Sequence, residues 1–385
     1  MTGGTLALRG ESDEVSSLEL FFDLVFVFAI SQFSQLLLAD RSAFGAARAL
    51  VLFVAVYNVW LATTWSACLH DTRQRAMQVL LLFVMVAGLF MNATIGGAFE
   101  KTPLLFVALY LTTNVVREIW LVARTDSARM RDHYKRMTIW HLIGGVFWIA
   151  GAFAPSPYRL ALWAAGASLD LTGNILAHPL PGWRMSTGRL EAPFGRLLER
   201  ARLFFLIALG ETLLTTGTAI AAHADEPLSL LAGLTAAGVS IALWWAYFDT
   251  RDGHVAAALE AADNPTQTAI WTYNGLFVVV AALICIAVAN EIVIAHPLGH
   301  ADLPTILMMY GGPILYLATH AWHSWRAVGK VLRSRLIAVG ALVALGFVAP
   351  HVAPVVALIG AAAPLIAVAF ADTWLSPAPA RSHAG

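Results

Sequence analysis

Long apolar segments occupy most of this chain and limit what it can fold into. A helix needs about 20 mostly apolar residues to cross a hydrocarbon core of roughly 30 Å. The sequence has twelve runs of about that length, at 18–38, 44–69, 76–98, 103–123, 137–155, 157–177, 203–222, 227–249, 267–292, 304–325, 334–350 and 353–374. We therefore predict an all-α polytopic membrane protein with about twelve transmembrane helices.

The composition also indicates a surface that faces lipid. Hydrophobic residues make up 59% of the chain and charged residues only 12%, with a mean hydropathy of +0.70. Soluble domains carry roughly 25% charged residues. The sequence has neither a basic aromatic patch nor a phosphate-binding glycine loop, and its formal net charge is +0. We expect the lipid bilayer as a partner and no nucleic acid.

The distribution of basic residues predicts the orientation, because cytoplasmic loops collect Lys and Arg. With twelve spans, most of the 24 basic residues fall on the side that carries both termini. Arg196 and Arg200 are placed there, in a linker. The expected organisation is a cytoplasmic N-terminal segment (1–17), a first six-helix half (18–177), a cytoplasmic linker (178–202), a second six-helix half (203–374) and a disordered cytoplasmic tail (375–385).

Short matches relate the two halves to each other. They pair Leu20-Phe21-Phe22-Asp23-Leu24 with Leu203-Phe204-Phe205-Leu206-Ile207, Asp71-Thr72-Arg73 with Asp249-Thr250-Arg251, and Ser168-Leu169-Asp170 with Phe370-Ala371-Asp372. Six spans per half would make the halves parallel repeats about an axis normal to the membrane. Similar apolar composition can also produce such matches.

A few charged residues fall within or at the ends of the predicted spans. Such residues cost about 2.5–3.5 kcal/mol or more in lipid, so they usually face protein or water and mark pathways. The candidates for an ion or substrate pathway are Glu19, Asp23, Arg117, Glu118, Asp170, Glu211 and Asp249. Glu211 is the strongest of them, because it lies near the middle of its span and Thr212 follows it.

Several of these residues also fit a structural role. Glu19 and Asp23 lie one helical turn apart on one face and could form an ion pair with Arg117. Asp249 could be a solvated residue at a helix end. His141 could relay protons or bond a neighbouring helix. The 13 tryptophans are interpreted as an aromatic belt near the span ends.

The sequence contains no recognisable catalytic motif, and we do not expect an enzyme. His320 and His323 share a helix face, but no third or fourth ligand accompanies them, as a complete metal site requires. We expect no metal and no cofactor.

The opening of the first span resembles a known family. The run Glu19-Leu-Phe-Phe-Asp-Leu-Val-Phe-Val-Phe-Ala29 is similar to the signature of the bacterial low temperature requirement protein A family. Later landmarks of that family follow in the same order, at Glu199-Arg200, Leu206-Ile-Ala-Leu-Gly-Glu211 and Trp244-Trp245-Ala-Tyr247-Phe248-Asp249. The resemblance covers nearly the whole chain. It implies a polytopic protein of the bacterial inner membrane, and it carries no established biochemical activity.

The leading hypothesis for function is a transporter or channel for an unidentified ion or small polar solute. Its pathway would be lined by Glu19, Asp23 and Glu211, with protons as a coupling ion. The alternative is a membrane-embedded enzyme or a non-transporting accessory protein. A deep cavity with Glu211 beside a second acid would favour the enzyme. A closely packed bundle with every acid paired would favour the accessory role.

Overall fold

A computed structural model describes residue 6 and residues 15–182, 194–248, 265–329 and 332–375. Nearly all of these residues are helical. The α-helices in these ranges are α1 (Ser17–Ala39), α2 (Ala43–Leu69), α3 (Arg75–Ala93), α4 (Pro103–Arg124), α5 (Ala128–Phe153), α6 (Ser156–Leu176), α7 (Phe194–Ala222), α8 (Pro227–Phe248), α9 (Pro265–Ala295), α10 (Leu303–Val328), α11 (Arg333–Val348) and α12 (Pro354–Leu375).

Each predicted apolar run coincides with one of these helices. Within the described ranges, nine helices are long and apolar enough to cross a membrane. The prediction of an all-α polytopic membrane protein is confirmed at this level. The number of twelve spans and the repeat of two halves remain predictions.

Two helices begin nine residues earlier than their apolar runs. Helix α5 begins at Ala128 instead of 137, and α7 begins at Phe194 instead of 203. Hydropathy detects only the apolar part of a helix, so a polar first turn with protein partners is missed. In α7 these first turns lie within the segment predicted as a linker.

Local sequence signals explain several helix starts. Side chains of Ser42, Ser127 and Asp302 accept hydrogen bonds from backbone N–H groups in the first turns of α2, α5 and α10. These caps satisfy donors that lack a partner within the helix. Pro103 and Pro227 are the first residues of α4 and α8, where proline costs no hydrogen bond.

The chain divides into two compact units, and the first comprises Met1–Glu211 and Glu260–Phe277. In it, α2 packs against α1, α4 and α6, and α5 packs against both α4 and α6. Every residue from 51 to 64 in α2 is buried. Because this stretch of α2 is enclosed, its polar side chains can form hydrogen bonds only with groups inside the protein.

The second unit comprises Thr212–Leu259 and Val278–Gly385. Its helix α12 packs against α8 and α11, and α11 packs against α10. Gly312 allows α10 to approach α9 closely, since a Cβ there would lie 2.7 Å from the Ile286 side chain and 3.0 Å from the Ala282 carbonyl oxygen. The Tyr316 hydroxyl donates to the Leu243 carbonyl at 2.7 Å, which ties α10 to α8.

Candidate functional site

The first unit holds two buried polar clusters. The first, which we name the ionic cluster, consists of Glu19 and Asp23 on α1 with Arg196 and Arg200 on α7. The acids are four residues apart, and so are the arginines, so each pair occupies one stripe of its helix. All four side chains are 0% exposed. The clustered charges therefore compensate one another within protein.

The contacts of the ionic cluster form a ladder between the two helices. Arg196 pairs with Glu19, and Arg200 donates to Asp23 Oδ1 at 2.6 Å and lies 3.6 Å from Glu19 Oε1. The indole N–H of Trp60 on α2 donates to the same oxygen of Asp23 at 2.8 Å. Glu19 also closes a capping box with Ser16. The start of α1 is thereby held against α7.

These contacts correct two expectations. The ion pair of Glu19 and Asp23 with Arg117 is wrong, because Arg196 and Arg200 are the partners. The placement of those two arginines in a linker is also wrong, because both are buried in α7. Helix α7 accommodates them because two carboxylates on α1 neutralise their charge, a contact between distant parts of the sequence.

The second cluster is a hydrogen-bonded series of side chains from α2, α4, α5 and α6. We name it the polar chain, and it runs through Arg117, Glu118, His141, Asn58, Tyr110 and Asp170. Each of these six side chains is at most 5% exposed. The polar chain thus places two acids, a histidine and a tyrosine inside the unit.

One end of the polar chain centres on the Glu118 carboxylate. Its Oε1 lies 3.1 Å from Nη2 of Arg117 and 2.6 Å from Nδ1 of His141. Its Oε2 has no hydrogen-bond partner among the described residues. Arg117 also donates to Asn114 at 2.9 Å and to Thr63 at 3.2 Å. At this end, the Glu118 carboxylate therefore has one oxygen without a partner among the described residues and one oxygen in contact with the titratable imidazole of His141.

The other end centres on Asp170. Its Oδ2 accepts from the Tyr110 hydroxyl at 2.6 Å and from the Trp148 indole at 3.0 Å. Gly144 makes room for the carboxyl, because a Cβ there would lie 3.1 Å from Oδ1. In the described part of the chain, Asp170 has no ion pair within 4.0 Å. Its hydrogen bonds come from neutral donors and the nearby His141 ring adds a Coulombic attraction, so a change in the protonation of Asp170 changes the charge of the site.

Asn58 joins the two ends. Its Nδ2 lies 3.1 Å from the Tyr110 hydroxyl and 3.0 Å from Nε2 of His141. Its Oδ1 accepts from Nδ2 of Asn174 at 2.7 Å, which fixes the amide orientation. Asn58 therefore donates in both directions. An amide does not titrate near neutral pH, so Asn58 connects the two acids structurally without passing a proton between them.

The remaining candidates lie elsewhere. Glu211 on α7 is half-buried and interacts with the Ser31 side chain. It follows Arg200 by eleven residues, about 16 Å along a helix axis, so it does not join the ionic cluster. Asp249 lies outside the described residues. Glu19 and Asp23 therefore lie together in the ionic cluster, whereas Glu211 lies apart from them. The three residues expected to line one pathway do not come together.

Sequence reasoning missed several members of these clusters. Asn58 and Tyr110 carry no charge and stood unnoticed in apolar runs. Trp60 and Trp148 were assigned to an aromatic belt, yet each is at most 1% exposed and donates to an acid. A useful signal was available, because an indole N–H in mid-span must find an acceptor within the protein.

Comparisons with known proteins place the chain in a family. No solved structure matches the chain. An uncharacterized protein of Rhizobium meliloti (strain 1021) is 34% identical over 312 residues, covering 79% of this chain and 75% of the relative. The family model described as bacterial low temperature requirement A protein (LtrA) matches residues 14–370. The chain therefore belongs to the LtrA family of bacterial low temperature requirement A proteins.

Proposed function

We propose that this protein is a proton-coupled transporter of ions or small polar solutes in the bacterial inner membrane. The observation that carries the proposal is the polar chain, which holds Glu118 and Asp170 buried among the packed helices α2, α4, α5 and α6. Ionisable residues within membrane segments are costly and commonly serve proton or ion pathways. We assign proton binding to these two acids.

The chemistry of the two ends supports proton exchange. Glu118 shares its Oε1 with Arg117 and His141, and its Oε2 has no partner among the described residues. Asp170 accepts hydrogen bonds from the neutral donors Tyr110 and Trp148. A proton can therefore be added at Glu118 Oε2 without first breaking that carboxyl's existing contacts.

The interruption at Asn58 favours a transporter over a channel. A proton channel needs an unbroken series of groups that both accept and release protons. Asn58 uses both amide protons as donors, to Tyr110 and to His141, so the series is broken there. Proton movement from one acid to the other then requires a conformational change, as coupled transport does.

The ionic cluster is assigned a structural role. Glu19 and Asp23 are 0% exposed and each touches an arginine. A buried carboxylate neutralised in this way is a poor site for a passing cation. This revises the first hypothesis for the pathway, in which both acids lined it, and leaves Glu211 as a further candidate.

The accessory alternative predicts that every acid in the bundle is paired. Glu19, Asp23 and Glu118 satisfy that prediction, but Asp170 has no ion pair within 4.0 Å in the described ranges and accepts its hydrogen bonds from neutral donors. The enzyme alternative has no catalytic motif in the sequence to support it. Asp170 is therefore the residue that best distinguishes a transport role from an accessory role.

The test is solute-driven proton flux in proteoliposomes that contain a pH-sensitive dye. Gradients of sodium, potassium and common small polar solutes are imposed one at a time on the wild-type protein. We expect at least one gradient to change the internal pH, and Asp170→Asn to abolish that change because the substituted amide cannot take up a proton.

Asp132→Asn is the matched control. It makes the same chemical change at a carboxylate on α5 that is 49% exposed and outside the polar chain. This variant should retain wild-type flux. Folded, inserted wild-type protein that shows no flux for any solute would overturn the proposal, and so would equal flux in Asp170→Asn.

A further inference from the structure

Three histidine side chains of the first unit, His133, His178 and His141, lie one after another and end at the polar chain. His133 on α5 and His178, just after α6, have ring centroids 5.8 Å apart. His178 and His141 have ring centroids 6.3 Å apart. We name these three residues the histidine ladder. His141 belongs to both the histidine ladder and the polar chain, because its Nδ1 contacts Glu118.

Exposure falls steadily along the histidine ladder. His133 is half-buried, His178 is 4% exposed, His141 is 3% exposed and Glu118 is 0% exposed. The ladder therefore spans the distance between solvent and a fully buried acid. Nδ1 of His133 and Nδ1 of His178 have no hydrogen-bond partner among the described residues. Each of these rings has a nitrogen available for a proton or a water molecule.

The backbone at His178 adopts an uncommon conformation that directs the ring inward. Ala177 and His178 both have φ of 56°, in the left-handed region that non-glycine residues rarely occupy. The His178 ring packs beside Gly173, where a Cβ would lie 2.9 Å from its Cδ2 atom. Such strained positions persist where the surrounding structure requires them.

The electrostatic surroundings of His178 are mainly cationic. Arg136 on α5 and Arg117 on α4 face it together with the two other rings of the ladder. The nearest acids on the neighbouring helices, Glu118 and Asp170, act on His141. Burial, followed by these neighbours, lowers the pKa of His178 well below its usual range. The His178 ring is therefore neutral at ordinary pH, and a proton that reaches it is readily released.

We propose that the histidine ladder is the route by which protons pass between water and the Glu118 end of the polar chain. This inference rests on the proposed transport function and names the entry residues of its proton path. The His178 ring lies next to both His133 and His141, so it is the middle step of this route.

Each ring takes up one proton and releases one proton, so no proton is gained or lost along the route. A ring accepts a proton on one nitrogen and releases the proton on its other nitrogen to the next ring, so it ends neutral in the other tautomer. At His141 the incoming proton arrives on Nε2 once the contact of that atom with the Asn58 amide has opened, and the proton that leaves from Nδ1 goes to the Glu118 carboxylate, with which Nδ1 is in contact at 2.6 Å. A bridging water or a ring rotation spans each gap between rings. Rotation of each ring then restores the starting tautomer.

A metal site is the main competing role for three neighbouring histidines. In the described part of the chain, no group of three or more His, Cys, Asp or Glu side chains is arranged to hold a metal ion. The serial spacing of the rings, at 5.8 and 6.3 Å between neighbours, suits stepwise transfer better than convergence on one ion.

The test measures how fast the ring N–H of His141 exchanges with water, by NMR on protein in nanodiscs with isotope-labelled histidine. His178→Gly is the informative variant, because glycine accepts a φ of 56° without strain while the ring is removed. We expect exchange at His141 to slow by about a hundredfold, the low end of what a positioned proton-transfer group contributes. Free imidazole in the buffer should restore it.

Ala177→Gly is the matched control. It changes the backbone freedom of the adjacent left-handed position and leaves all three rings in place. This control should exchange at the wild-type rate. His178→Asn, which also tolerates the left-handed region, replaces His178→Gly if the glycine variant does not fold. Wild-type exchange in either His178 variant, or slow exchange that imidazole leaves unchanged, would overturn the proposal.

The exchange measurement does not depend on transport. If His178→Gly slows exchange but wild-type liposomes show no flux, the ladder stands as a proton path and the transport function fails. If wild-type flux is present and exchange is unaffected by His178→Gly, transport stands and the ladder is wrong.

Discussion

At the scale of single residues, Asn58 determines how the polar chain can behave. It lies on the enclosed helix α2, and its amide orientation is set by a 2.7 Å hydrogen bond from Asn174. In that orientation it donates to both neighbours and divides Glu118 from Asp170. Sequence reasoning found the two acids because charge in an apolar run is conspicuous. It could not find Asn58, since a neutral amide becomes significant only through its partners.

Asn58→Asp should convert the transporter into a proton leak. A carboxyl at this position can accept a proton from one side and release it to the other, which joins the two ends of the polar chain. We expect proton flux without any solute gradient, measured with the pH-sensitive dye after an imposed pH step. Asn58→Leu should not leak, and a leak of equal size in both variants would indicate general disruption.

The lowered pKa of His178 predicts a specific pH dependence of stability. Above the ordinary histidine pKa of about 6.5 the ring is neutral in both folded and unfolded protein. Between that value and the lower folded pKa, the unfolded chain binds the proton and the folded chain does not, so stability falls as pH falls. As the pH is lowered through this window, we expect the melting temperature in detergent to fall less for His178→Asn than for the wild-type protein. Identical pH profiles would contradict the assignment.

At the scale of helices, the contact between α1 and α7 shows what a sequence pattern can and cannot predict. Most helix positions follow from the apolar runs, because burial in lipid requires them. The start of α7 did not, because Arg196 and Arg200 were treated as loop charges. Their partners Glu19 and Asp23 are each 177 residues away in sequence. Such a pairing can be detected only once the helices are packed.

The ionic cluster should stabilise the first unit only while both the carboxylate and the arginine of each ion pair are present. Removing one member of a buried ion pair typically costs about 3–5 kcal/mol, whereas replacing both with apolar groups is near neutral. We expect Arg200→Met to lower the free energy of unfolding strongly. The double variant Asp23→Leu/Arg200→Met should recover most of that loss.

The measurement is equilibrium unfolding in detergent for the two single variants and the double variant. Glu199→Gln/Arg202→Met is the control, because that pair on α7 is partly exposed, at 43% and 26%, and separated by 3.9 Å. Exposed pairs contribute about 1 kcal/mol or less. Additive effects at Asp23 and Arg200 would show that the two residues do not interact.

At the scale of the whole molecule, composition and apolar runs predicted the class of protein correctly. A chain with 12% charged residues cannot cover a soluble surface, and the apolar helices follow from that. The sequence also identified Glu118 and Asp170 as candidates, but it did not connect them. Their connection depends on side chains from four helices meeting in the interior, which no local pattern encodes.

Uphill solute transport driven by a pH gradient tests proton coupling through the polar chain most directly. Proteoliposomes that respond to a solute are loaded with equal solute on both sides, and a pH step is imposed. We expect wild-type protein and Asp132→Asn to accumulate or expel solute against its gradient, whereas Asp170→Asn should not. Solute movement that only runs downhill, at a rate unchanged in Asp170→Asn, would contradict proton coupling through the polar chain.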